Sequence, residues 1–160
     1  MMFARKCLAS GLVVATGDGI CQMIEGAPFD VRRNVRFAIA GATLHAPFWL
    51  YGFKLIDKLP LGGIGLMSAV RRTLATQILL SPPYFVLFYG WIGVLEGLNP
   101  RQIVEFKTRC VVDTVIRGLM FWPFVNVINF QFVAATHRLH YVTAAGVIWN
   151  VAVSYTNNRS

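Results

Sequence analysis

The chain has 160 residues, 56% of them hydrophobic and only 14% charged, and a formal net charge of +8. Soluble domains carry about 25% charged residues, so this composition excludes an ordinary soluble domain. Nucleic-acid binding is excluded as the source of the positive charge, because the Lys and Arg residues punctuate apolar stretches instead of clustering on one amphipathic face; they read as anchors of span ends at phospholipid headgroups.

Five apolar stretches follow one another without a low-complexity linker, so the sequence reads as one integral membrane domain over 1–160. The first, about 3–23, is interrupted by Asp18. Its start, Met1 to Lys6 followed by Leu8 to Ala15, is similar to a signal or transit segment, but no small-x-small cleavage site follows. Asp18 and Gln22 fit a retained span better. Gly11, Ala15, Asp18, Gln22 and Glu25 recur at three- and four-residue spacing and share one helical face. Asp18 is therefore an intramembrane carboxylate. It serves either as a negative group in an aqueous path or as the partner of an arginine from a neighbouring helix.

The second span, about 35–55, has no charge from Phe37 to Phe53 and carries Asn34, Ala38, Gly41 and His45 on one side, with Pro47 next. Pro60 to Gly63 break the chain before the third span, about 73–95, which places Thr73, Gln77, Ser81 and Tyr84 along one face. Pro82–Pro83 remove two backbone donors and predict a kink or interruption there. Asn99 is expected to cap a short amphipathic connecting helix that starts at Pro100 and bears Arg101, Glu105 and Arg109.

The fourth span, about 113–136, includes nineteen consecutive residues, Gly118 to Thr136, without a formal charge. At about 1.5 Å per residue this is about 28 Å, close to one hydrocarbon thickness. A bilayer accepts such a run but not amides facing lipid, so Asn126 and Asn129, in line with Thr114, Gly118 and Trp122, must face helices or water. A short helix over about 139–155 completes an all-α integral membrane fold, a four-transmembrane-helix bundle with connecting and C-terminal amphipathic helices. The Lys and Arg residues divide almost evenly between the two sides of such a bundle, so the chain's orientation is not fixed by its charges.

The bundle interior offers Asp18, Gln22, His45, Gln77, Ser81, Asn126 and Asn129 as pore-lining or core polar groups, and the span ends offer Arg36, Arg71, Arg72 and Arg117 to attract anions. A dry, interlocked centre and a wet pore share this pattern. The chain contains no His-Glu-x-x-His, no Gly-x-Ser-x-Gly and no phosphate-binding glycine loop, so no catalytic role, cofactor or metal is expected. His137 and His140 lack further ligands nearby. Cys7, Cys21 and Cys110 read as small packing residues; Cys7 and Cys21 on one helix are about 21 Å apart and beyond disulfide reach.

Gly17 to Gln22, Asp30 with Arg33 and Arg36, and Gly41 resemble the first half of the Mpv-seventeen family, which includes a peroxisomal membrane protein of about twenty-two kilodaltons. Trp122–Pro123, Asn129–Phe130, Val133, Arg138 and Val147 to Asn150, with Trp149, resemble its second half in order and spacing. Departures occur around Pro47, where Ala46 precedes the proline in place of the family's Gly, and at Thr76, where the family frequently has Asp. The resemblance implies a four-span channel for small solutes or metabolites in the mitochondrial inner membrane, or alternatively the peroxisomal membrane. Its partners are then the lipid bilayer, solutes and a second copy in a homo-oligomer, with no direct nucleic-acid binding. The competing reading is a non-conducting membrane scaffold or assembly factor.

Overall fold

The computed structural model describes residues 2–26 and 28–157, with side chains described over 3–26 and 28–149. The side chain of Asn150 and all of Arg159 lie outside the described residues. Every regular element among the described residues is helical. The chain forms two compact units, one of Met1–Pro47 with His140–Ser160, the other of Phe48–Leu139.

The first unit is led by α1, Met2–Glu25, which ends at Gly26 in the left-handed conformation (φ 68°) that a side chain resists. Asp30 then caps α2, Val31–Ala40, by accepting the Arg33 N–H at 3.0 Å. α1 and α2 cross at very close range. A Cβ added at Gly41 would lie 2.9 Å from Gly11 Cα, and one at Gly11 would lie 2.8 Å from the Ala38 carbonyl oxygen. Small residues at these positions let two backbones touch, the packing that helices in lipid depend on.

Both proline sites are accommodated in the same way, and the helix is not interrupted at Pro82–Pro83. A π-helical turn, Gly41–His45, precedes α3, Ala46–Lys58, and a second, Thr76–Leu80, joins α4, Leu66–Ala75, to α5, Ser81–Leu95. A proline ring collides with the carbonyl four residues back. Just ahead of each proline the hydrogen bonds reach one residue further, from Ala46 N–H to Gly41 O and from Ser81 N–H to Thr76 O. Each turn widens and the helix runs on.

In the second unit Asn99 makes a reciprocal cap with Gln102, each side chain meeting the other's backbone N–H at 3.0 Å, and opens α6, Pro100–Phe132. The expected division into a short connecting helix and a span over 113–136 is overturned: α6 is one 33-residue helix with Pro123 inside it. Once capped at Asn99, the chain meets no breaker between Arg109 and Gly118, and a membrane boundary does not end a helix. The helix also stops short of Thr136, because Val133 turns extended. The third span likewise starts earlier than 73, since α4 begins at Leu66. α7, Arg138–Asn157, is twenty residues long and exceeds the short helix expected over 139–155.

Among the described residues three helices are long and apolar enough to cross a membrane: Phe3–Glu25, Leu66–Leu95 and Pro100–Phe132. Only 33%, 28% and 17% of their apolar windows are buried, so most of this surface is left for lipid. The expected second span, 35–55, lies in the helical run from α2 to α3 and falls outside this set. His45, Pro47, Trp49, Tyr51 and Lys54 dilute its hydropathy.

Candidate functional site

The polar side chains collect in three places. In the first unit Asp18, 1% exposed, has every partner a buried carboxylate needs. Arg33 Nε donates to its Oδ1 at 2.8 Å, while Gln22 Nε2 and Asn34 Nδ2 donate to Oδ2 at 2.8 and 3.2 Å. Gln22 also locks the interhelix loop, accepting the Asp30 N–H at 2.6 Å and donating to the Asp30 carbonyl at 3.2 Å. Arg33 reaches on to Glu25 through two nitrogens, at 2.6 and 3.0 Å. Of the two roles open to Asp18, the geometry supplies the arginine partner. Sequence spacing placed Gly11, Ala15, Asp18, Gln22 and Glu25 on one face of α1; the structure adds Arg33 as the cation that neutralises Asp18. Arg36 lies 3.8 Å from Asp30.

This network is asymmetric. Asp18 is sealed in, whereas the Arg33 side chain is 33% exposed and keeps Glu25 as a second partner. Arg33→Ala is therefore expected to cost more than Asp18→Ala, about 3 kcal/mol, because it strands a buried carboxylate. Equal unfolding midpoints for the two variants in detergent would contradict this assignment.

Asp30 is exposed, and its carboxyl is held below its ordinary value of 3.8, first by the Arg33 N–H it caps, then by the Arg32 N–H and the charges of Arg36 and Arg33. A depressed carboxylate stabilises the fold above its ordinary value, and that contribution is lost as pH falls through the lowered one. Amide exchange at Arg33 should rise in that acid window. In Asp30→Asn, which caps without titrating, it should stay level.

His45, at the end of the first π turn, is buried with Nε2 3.3 Å from Thr143 Oγ1, a link across 98 residues that no local pattern shows. This pair belongs to the packing of the first unit.

The second place is an ion cluster in the second unit that sequence reasoning missed. Asp57 Oδ1 accepts from Arg72 Nη1 and from Arg138 Nη1, each at 2.6 Å, and Asp57 Oδ2 accepts from Arg138 Nη1 at 2.6 Å. Arg138 is 7% exposed and its guanidinium stacks 4.9 Å from the Phe130 ring centroid. A signal was present: Asp57 is the sole acidic residue between Asp30 and Glu96, surrounded by Lys54, Lys58, Arg71 and Arg72. Arg71 is exposed beside Gly62, and Arg117 is exposed on α6.

The third place is the interior of the second unit. Ser81 Oγ donates to Gln77 Oε1 at 2.9 Å, and Tyr84 packs among Trp49 and Phe85, with ring centroids at 5.1 and 5.3 Å. Asn126 and Asn129, one turn apart on α6, are 2% and 0% exposed. Asn126 Oδ1 and both amide atoms of Asn129 have no hydrogen-bond partner, and neither has Thr73 Oγ1 on α4. Buried amides without partners are rare in folded proteins and mark a place that water or a polar ligand completes.

Residues 93–154, which hold Trp122–Pro123, Asn129–Phe130, Arg138 and Trp149, match the model of the Mpv17 / PMP22 family. The chain is 31% identical over 158 residues to the Danio rerio protein named mitochondrial inner membrane protein Mpv17, covering 96% of this chain and 89% of that protein. It is 27% identical over 160 residues to PXMP2/4 family protein 4 of Dictyostelium discoideum, covering 97% and 86%. With protein SYM1 of Mycosarcoma maydis it shares 26% identity over 156 residues, covering 95% and 78%. No solved structure matches. The likeness thus extends from the Asp18–Arg33 network through the Arg138 cluster to α7, and the chain belongs to the Mpv17 / PMP22 family.

Proposed function

We propose that this protein is a small-solute membrane channel that supports metabolite balance across an organelle membrane. The relatives' names favour the mitochondrial inner membrane, with the peroxisomal membrane as the alternative. In this reading the helical run 31–58 is the fourth span. It is about 42 Å long at about 1.5 Å per residue, ample for a bilayer, and its segment 37–53 carries no formal charge.

The observation that carries the proposal is the set of unpartnered atoms on Asn126, Asn129 and Thr73, within the two longest membrane-length helices. In hydrocarbon each such atom costs several kcal/mol unless water or a polar solute meets it. A wet path past these residues satisfies them; Gln77 and Ser81 are further candidates to line it. Arg36 in the second turn of α2 and Arg117 midway along α6 draw anions toward the path, while Asp18 holds the frame of the first unit. The protein needs no cofactor and no catalytic step for this role, binds no nucleic acid, and acts on solutes, alone or as a homo-oligomer.

One observation favours the rival scaffold reading: the Asp18 network is fully partnered and needs no water. Purified protein in liposomes loaded with neutral solutes of graded size separates the two. A channel releases solutes up to a sharp size limit, and Asn126→Leu/Asn129→Leu abolishes release. Folded protein that releases none of them is a scaffold.

A further inference from the structure

We propose that the loop 59–65 and the arginines beside it form a binding site for the phosphodiester headgroup of an anionic phospholipid. The charge balance points there first. Asp57 is shared by Arg72 and Arg138, so the cluster retains one excess positive charge in a half-buried setting. Arg72 Nε is buried without an acceptor, so Asp57 alone does not satisfy that guanidinium. Arg71, the residue before it, is exposed, with Nη1 3.4 Å from where a Cβ on Gly62 would stand, and Lys58 is exposed at the other end of the loop. Guanidinium forks match phosphate oxygens in geometry as well as charge.

The loop supplies the second half of the site. Gly62 and Gly65 hold φ of 95° and 123°, and between the loop and the first turn of α4 the chain presents Ile64, Leu66 and Met67 at 106%, 62% and 64% exposure. Three large apolar side chains beside an excess of positive charge suit neither water nor the hydrocarbon centre. They suit the boundary between headgroups and acyl chains, with apolar groups dipping in and arginines at phosphate level. A soluble phosphate would leave Ile64, Leu66 and Met67 in water; a lipid covers both parts of the site. The site is independent of conduction, and a scaffold would bear it equally.

The test is native mass spectrometry of the detergent-purified protein offered phosphatidylglycerol and phosphatidylcholine together. Wild type is expected to retain phosphatidylglycerol preferentially. Arg71→Gln should weaken that retention about fivefold, the worth of one basic residue at an anionic surface. Ile64→Ser should weaken it as well, and both variants alter exposed side chains, so their thermal midpoints should match wild type. Equal retention of the two lipids, an unchanged Arg71→Gln, or displacement of the lipid by inorganic phosphate at matched concentration overturns the proposal.

Discussion

Asp57→Ala is expected to lower the stability of the protein by about 3 kcal/mol, the low end for breaking a buried pair because Asp57 is partly exposed. The substitution leaves Arg72 and Arg138 facing each other with no counter-charge. Arg138 cannot turn to solvent, since its guanidinium is packed on Phe130 and its Nε donates to the Val133 carbonyl at 3.4 Å. The loss comes from the stranded cations more than from the missing bonds. Asp57→Ala/Arg72→Leu, which removes one of those cations with the carboxylate, should therefore recover part of the stability. Urea or thermal unfolding in detergent micelles measures both. A double variant less stable than Asp57→Ala would show that electrostatics is not what the cluster contributes.

Gly41→Leu is expected to destabilise the first unit by about 3 kcal/mol, the upper end for overpacking, because the obstruction is backbone and cannot swing aside. The added Cβ alone would meet Gly11 Cα and Val14 Cβ at 2.9 Å and the Ser10 carbonyl at 3.0 Å, before the rest of the side chain is placed. Gly90→Ala gives the opposite sign. Nothing lies within 4 Å of a Cβ there, so the substitution should stabilise α5 by about 0.5–1 kcal/mol through helix propensity. Thermal midpoints of the two variants beside wild type decide the matter, and a neutral Gly41→Leu would mean α1 and α2 do not cross at this point.

What could be read without coordinates was whatever is written locally. The breaks at Pro60 to Gly63 and at Asn99, the Asn99 cap, and the polar face of α1 all rest on interactions within a few residues. Helix ends were harder. Charges such as Arg71, Arg72 and Arg109 mark where a chain leaves hydrocarbon, yet a helix continues through them, which is why α4 and α6 begin well before the apolar runs they carry. The early end of α6 had no local signal, since Ala134 and Ala135 are helix formers. Prolines foretold disturbance at 82–83 but not its form, because a π turn depends on where the hydrogen bonds ahead of the proline can go. Long-range pairs were out of reach. Asp57 and Arg138 are separated by 81 residues, and only the isolation of that one acid among bases hinted at a partner. Asn126 and Asn129 were legible as inward-facing; that Asn126 Oδ1 and both amide atoms of Asn129 meet no protein partner is a property of the packed structure alone.

The most direct test of the wet path is thiol accessibility at Asn129. In a background with Cys7, Cys21 and Cys110 replaced, Asn129→Cys and Gln77→Cys are reconstituted in sealed vesicles and exposed to a membrane-impermeant thiol reagent. Phe124→Cys, at an exposed apolar position of α6, serves as the control. A channel predicts modification at 129 and 77 with none at 124. Protection of all three in folded protein would contradict the account and leave the unpartnered amides of α6 inside a dry, non-conducting core.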